Sequence, residues 1–247
     1  MPTQTLNKPA PRTYKNAKKF GFCTTTLCLL FAAILLMCMT PSRAAENRFE
    51  STIKKFEKQD KTRPLTKNLV LFTGSSSIKL WQTLEEDFAG YNVLNRGFGG
   101  SEFSDLLYFF DRIITPYHPD VIVIYAGSHD LHRKNGGPGE VLNKLKTFQE
   151  RVRSELPNTK IFYISMKPSI KKWKTIELDQ EANRLIKAWA TETPNVEFID
   201  IWTPMVAESS PPPEKYFVAD LNHLSREGYQ LWASVIRTHL EKHVSSK

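Results

Sequence analysis

Cysteine is nearly missing from this 247-residue chain, and its placement matters more than its count. All three, Cys23, Cys28 and Cys38, fall within the first 45 residues, so residues 46–247 can form neither a disulfide nor a thiolate metal site. Acidic side chains are absent from the same 45 residues, which carry Lys8, Arg12, Lys15, Lys18, Lys19 and Arg43. Those six supply most of the formal charge of +8, leaving 28 basic against 26 acidic side chains over residues 46–247. The basic character therefore belongs to a tail, and a nucleic-acid surface is not implied. Internal repeats and long low-complexity segments are lacking too. Pro211-Pro212-Pro213 is the one compositional break, and it reads as a stiff loop. What remains, 40% hydrophobic and 24% charged, is globular composition sized for one domain or two.

Residues 1–45 have the layout of a targeting segment: basic residues ending at Lys18-Lys19, an uncharged run over 20–39, then Pro41-Ser42-Arg43-Ala44-Ala45. Ser42 and Ala44 satisfy a small-x-small rule, so removal after Ala44 is expected. The alternative is an uncleaved anchor, because the apolar run is long enough to span a bilayer with its basic end in the cytoplasm. Met37 precedes Cys38 where a lipid-attachment signal has a small residue, which argues against lipidation. Residues 46–247 are accordingly expected to be one exported domain, in a bacterial envelope or periplasm or secreted.

Within that domain, apolar strand-like runs at 69–73, 93–95, 121–125, 161–165 and 196–201 alternate with amphipathic stretches near 77–88, 101–114, 138–156, 174–192 and 225–243. Such alternation predicts a mostly parallel sheet covered by helices on both faces. Ser225 is the expected N-cap of the last helix. Sheets of this kind place ligands beyond the carboxyl ends of their strands.

Four loops at those ends hold polar groups. Gly74-Ser75-Ser76-Ser77 follows the first strand, and Asn95-Arg96-Gly97-Phe98-Gly99-Gly100-Ser101 the second. Tyr125-Ala126-Gly127-Ser128-His129-Asp130 follows the third, and Asp220-Leu221-Asn222-His223 precedes the last helix. Three residues of separation let a carboxylate turn back onto an imidazole and orient it. Each loop alone has an ordinary reading: a serine cap, a glycine turn, a solvated polar cluster.

In order and spacing, the four together resemble the blocks of the SGNH, or GDSL, hydrolases. The similarity is greatest to the branch with Gly-Ser-Ser in place of Gly-Asp-Ser, continuing as Ser77-Ile78-Lys79-Leu80-Trp81, and it extends to Lys167-Pro168-Ser169. The resemblance implies a flavodoxin-like three-layer α/β/α sandwich with a five-stranded sheet. It also implies a serine esterase acting on short acyl or acetyl esters, or on lysophospholipid-like lipids. Ser76 matches the nucleophile, His223 the general base and Asp220 the acid that holds it. The backbone N–H groups of Ser76 and Gly100 match two oxyanion donors, the requirements of acyl transfer, and no metal or organic cofactor is required. One block departs: where the family has an asparagine as third donor, this chain has His129, whose neutral ring still offers one N–H. That departure keeps a second reading open, a degenerate domain that binds a lipid or glycan. A third is an acyltransferase that hands the acyl group to a sugar.

Other polar groups read as ordinary. His118 and His132 lack partners at metal spacing and read as loop histidines. His239 and His243 sit four apart on the last helix and read as a solvated face. Lys171-Lys172-Trp173-Lys174 reads as a helix entry. Trp81, Phe103, Tyr108, Phe109 and Phe110 read as core, with one or two free to wall an acyl pocket.

Overall fold

The computed structural model of the protein describes residues 47–62 and 67–244. The expected leader at 1–45, with its apolar run and cysteines, lies outside the described residues. Among those described, no helix is long and apolar enough to cross a membrane.

Five parallel strands form one sheet in the order β2-β1-β3-β4-β5. They are β1 (Leu69–Gly74), β2 (Asn92–Gly97), β3 (Val121–Tyr125), β4 (Lys160–Ile164) and β5 (Val196–Ile199). The order reverses direction between β1 and β3, the flavodoxin-like doubly wound topology, and loops on either side of that switch open a crevice at the carboxyl edge. Every residue of β1 and β3 is buried, because both faces of these central strands are covered. Period-two alternation divides their side chains. Leu69, Leu71, Ile122, Ile124, Ile161 and Tyr163 enter one core, and Val70, Phe72, Val121, Val123, Tyr125 and Phe162 the other.

The first core is roofed by α1 (Glu50–Asp60), α4 (Phe103–Tyr108), α5 (Phe110–Ile113), α7 (Pro138–Glu155) and α8 (Ile176–Glu192). The second is covered by α2 (Ser76–Lys79), α3 (Leu84–Asp87), α9 (Trp202–Met205) and α10 (Arg226–Leu240). A short helix, α6 (Ser128–His132), follows β3.

Two expected helices are broken. The 77–88 stretch becomes α2 and α3, because Trp81 turns inward, is 2% exposed and donates its indole N–H to Asp87 at 2.7 Å. There it packs against Phe72, Phe88, Tyr229 and Trp232, an aromatic cluster that outweighs one more turn of helix. The 101–114 stretch becomes α4 and α5, with Phe109 buried edge-on against Phe98 and Tyr108 left 67% exposed. The 174–192 stretch begins as a 3₁₀ turn over Ile170–Thr175 before α8. Ser225 caps α10 as expected, accepting the Gly228 N–H at 3.2 Å.

Candidate active site

Ser76 sits where β1 ends and α2 begins. Gly74 holds φ +121°, and a Cβ there would lie 2.0 Å from the Tyr125 carbonyl oxygen, so only glycine fits this strand-to-helix turn. The turn is tied down on both sides: Ser75 N–H donates to Tyr125 O at 3.0 Å, and Phe98 N–H to Gly74 O at 2.9 Å. Behind it, Asn95 Nδ2 donates to Ile78 O at 2.7 Å and the Tyr229 hydroxyl to Ser77 O at 2.9 Å. Ser75 and Ser77 are buried and Ser76 is half-buried, so of the three hydroxyls Ser76 is the one presented to the crevice. As the first residue of a helix, it also has a backbone N–H with no intrahelical partner.

His223 arrives from the opposite side, on a tight loop closed by a Phe217–Leu224 bridge and a Val218 N–H bond to His223 O at 2.9 Å. Its Nε2 lies 3.0 Å from Ser76 Oγ, and its Nδ1 lies 2.5 Å from Asp220 Oδ2. Across 147 residues of sequence, folding thus connects a hydroxyl, an imidazole and a carboxylate in one chain of hydrogen bonds. The second Asp220 oxygen accepts the backbone N–H groups of Asn222 at 2.9 Å and His223 at 2.8 Å. Partial burial works against the Asp220 charge, yet these two N–H bonds and the imidazole outweigh it and hold the carboxyl at about 2.

The Gly97–Gly100 loop approaches Ser76 closely: a Cβ on Gly99 would lie 3.6 Å from Ser76 Cβ. Gly100 holds φ +81°, a conformation that favours glycine. His129, on α6, is exposed and makes no hydrogen bond to Ser76, His223 or any other described residue. Burial of its ring and the nearby Lys172 ammonium lower its pKa, against the pull of Glu102 and Asp130.

Several contacts at this site carried no expectation. Arg48 donates to the Gly100 carbonyl at 3.2 Å and to Asp105 at 3.0 Å, bracing the glycine loop from a segment 52 residues upstream. Ser169 bonds the Asn222 side chain at 2.9 Å, and the Lys171 N–H bonds Leu221 O at 3.1 Å, so the 3₁₀ turn after β4 holds the His223 loop. Lys167 is 5% exposed and donates to Ser77 Oγ at 3.2 Å and the Tyr125 hydroxyl at 3.3 Å. Its only trace in the sequence was the Lys167-Pro168-Ser169 stretch.

The remaining candidates resolve differently from expectation. His132 is on helix α6 with Nε2 2.9 Å from the buried Asp179, so it is a packed histidine and not a loop one. His118 does lie in a turn, with φ +43°. Of the two histidines read as a solvated face, His243 is exposed and His239 half-buried; both pair with Glu197, His243 at 2.8 Å, and Lys160 approaches His243 Nδ1 at 2.7 Å. Among the described residues no cluster of three or more His, Cys, Asp or Glu is placed to hold a metal. Trp81, Phe103, Phe109 and Phe110 are core, whereas Tyr108 is not.

A doubly wound α/β domain with a serine, a histidine and an aspartate joined at its carboxyl edge has the architecture of an ester-cleaving hydrolase. Residues 72–231 match the GDSL-like lipase/acylhydrolase family, and the chain belongs to that family, a hydrolase acting on esters. Solved structures share the fold. A protein described as a platelet activating factor from Streptococcus pneumonia is 22% identical with a TM-score of 0.66, covering 87% of this chain and 99% of its own. A GDSL-like lipase from Bacteroides thetaiotaomicron is 22% identical with a TM-score of 0.63, covering 78% and 98%. An acetylxylan esterase from Geobacillus stearothermophilus is 16% identical with a TM-score of 0.56, covering 72% and 94%. No curated protein matches the chain by sequence.

Proposed function

We propose that the protein hydrolyses carboxylic esters through an acyl-Ser76 intermediate. The observation that carries this reading is the continuous hydrogen-bond chain from Ser76 Oγ through both nitrogens of His223 to Asp220. Ser76 Oγ attacks the ester carbonyl carbon while its proton passes to His223 Nε2, and the carbonyl π electrons move onto oxygen. The tetrahedral species collapses, the C–O bond to the alcohol breaks, and the leaving oxygen takes the proton from Nε2. Water then attacks the acyl carbon as it gives a proton to the same nitrogen. The second tetrahedral species collapses, the bond from the acyl carbon to Ser76 Oγ breaks, Oγ takes the proton back from Nε2, and the acid leaves. Asp220 keeps the Nδ1–H tautomer in place and stabilises the imidazolium; held near a pKa of about 2, it stays ionised throughout the working range. The backbone N–H groups of Ser76 and Gly100 are the oxyanion donors in this scheme, with His129 as a third.

For substrate, we propose short acyl or acetyl esters, with lysophospholipid-like lipids as the longer alternative. The acetylxylan esterase among the structural relatives supports the first. The reaction is placed outside the cytoplasm on the leader-like character of residues 1–45.

The test uses the purified full-length chain with p-nitrophenyl esters from acetyl to dodecanoyl. Hydrolysis is expected in the native protein and should fall to background in Ser76→Ala, with the acyl-length profile separating acetyl esters from lipids. A native rate that survives Ser76→Ala would overturn the acyl-serine scheme. No native rate, with a clear one in His129→Asn, would favour the degenerate binding protein instead.

A further inference from the structure

Two lysines beside the site lack a carboxylate partner. Lys167 reaches only two hydroxyls, on Ser77 and Tyr125, with the Tyr125 ring 5.1 Å from its ammonium. Lys172, half-buried on the 3₁₀ turn, donates to Ser128 Oγ at 2.8 Å. Neither forms an ion pair within 4 Å of any described carboxylate. Asp179, the buried carboxylate whose field reaches both, is bonded to His132. A buried charge is costly unless paired.

The two cations and His129 are held between the three segments that build the site. Lys167 touches the residue after Ser76, and Lys172 holds the residue before His129. The turn that carries Lys172 is bonded to Leu221, two residues ahead of His223. Lys171 and Lys174 are exposed on the same turn, with half-buried Trp173 between them. The titratable and charged groups facing this cluster are the Tyr125 phenol from β3, Glu102 and Asp130 from the α4 and α6 side, Asp179 from α8 and Asp220 from the His223 loop.

We propose that Lys172, beside His129 and with Lys167 behind it, forms an anion subsite, so that the ester cleaved at Ser76 carries a permanent oxyanion group, a phosphate monoester or a carboxylate. The proposal rests on the acyl-serine reading only for where the scissile bond lies. Electrostatics support it. Burial lowers Lys172, and Lys171 adds to this against Asp179. Burial and then Lys172 bring Lys167 to about 7, against Asp179 and Asp220. Burial and Lys172 also lower His129. The Lys172 ammonium disfavours protonation of both Lys167 and His129, an arriving anion relieves that repulsion, and the spare N–H donors of Lys172 are the charge-assisted kind that phosphate and carboxylate accept.

The closing experiment measures binding apart from turnover. The full-length Ser76→Ala protein is titrated calorimetrically at constant ionic strength with inorganic phosphate, glycerol 3-phosphate and glucuronate. Phosphate is also tested as an inhibitor of p-nitrophenyl acetate hydrolysis by the native chain. Phosphate should bind and compete with the neutral ester. Binding should weaken about tenfold in Lys172→Met and recover to within about twofold in Lys172→Arg, since the lost charge-assisted bond is worth about one order of magnitude. Lys242→Met, at the opposite edge of the sheet, should leave binding unchanged. Tighter glycerol 3-phosphate than glucuronate identifies a phosphate-bearing substrate, and the reverse order a carboxylate-bearing one. No phosphate binding, or equal binding in Lys172→Met, overturns the subsite while leaving the esterase intact. Equally, a fall in kcat for the neutral ester in Lys172→Met with no change in phosphate affinity overturns it, because the cations would then serve only the transition state. Lys172-dependent binding in a chain that hydrolyses nothing would retire the acyl-serine reading and keep the anion subsite.

Discussion

At the scale of single residues, the site depends on what surrounds one imidazole and one carboxylate. Asp220 is the clearest case. Its acceptor pattern, two backbone N–H groups on one oxygen and His223 on the other, holds its pKa at about 2, below the ordinary 3.8. A depressed folded-state pKa stabilises the protein fully above the ordinary carboxylate range, and that contribution is lost as pH falls from about 4 to about 2. Asp220→Asn keeps the backbone acceptor and loses the charge, so the acid limb of the stability curve should flatten when followed by thermal melts. Turnover on p-nitrophenyl acetate should fall by about 10⁴-fold, since the imidazole is then free to adopt the wrong tautomer. His129 poses the complementary question. Its pKa is lowered by burial and by Lys172, which favours the neutral ring, and that ring can donate one N–H. In His129→Asn, turnover should rise about tenfold, within the hundredfold or more that a well-aimed oxyanion donor is worth, and the acid side of the pH–rate profile should flatten. An unchanged or lower rate would remove His129 from the oxyanion account.

Elements show where periodicity ceases to suffice. All five strands fall where apolar runs place them, to within three residues at their ends; the central β1 and β3 are the clearest, because a strand buried on both faces reads as a near-continuous apolar run. The helices near Ser76 do not follow their periodic pattern. Ser77 to Phe88 has helical spacing, but Trp81 gains more from the aromatic cluster and Asp87 than from another turn. Helix α1 had no readable signal, for Ile53 is its one buried side chain. It is held by ion pairs from distant segments, Arg112 to Glu50 and Glu57, and Arg96 to Asp60. The strand-to-helix turn is the element on which Ser76 depends most. Gly74→Ala adds a Cβ at φ +121° against a carbonyl that cannot retreat from the sheet. It should cost at least about 2 kcal/mol of stability by denaturant unfolding, with activity falling further than stability because the Ser75 N–H to Tyr125 O bond is displaced.

The whole molecule decides the charge balance of the crevice. Lys167 is walled in by α2, β3 and the turn after β4, and its pKa of about 7 lies far below the ordinary 10.5. The unfolded chain therefore binds more protons than the folded one between about pH 7 and pH 10.5, and stability rises with pH across that window. Lys167→Met should abolish part of that rise, read as a flatter dependence of Tm on pH. A slope equal to that of the native protein would mean the lysine is hydrated.

Much of this protein follows from its sequence alone. The alternation of apolar runs with amphipathic stretches points to a mostly parallel sheet covered by helices, since strands buried on both faces need such cover. Ser76, Gly100, His129, Asp220 and His223 stood out because their four loops together resemble the SGNH blocks, each loop alone having an ordinary reading. The structure joins Ser76, His223 and Asp220 by hydrogen bonds and leaves His129 unbonded among the described residues. Tertiary structure alone decided the rest: that His223 meets Ser76 across 147 residues, that Arg48 braces Gly100, and that Lys167 and Lys172 stand unpaired beside them. Contacts between residues this far apart depend on how the layers dock, and on which charges docking leaves without a partner. Spacing within a segment carries no record of either.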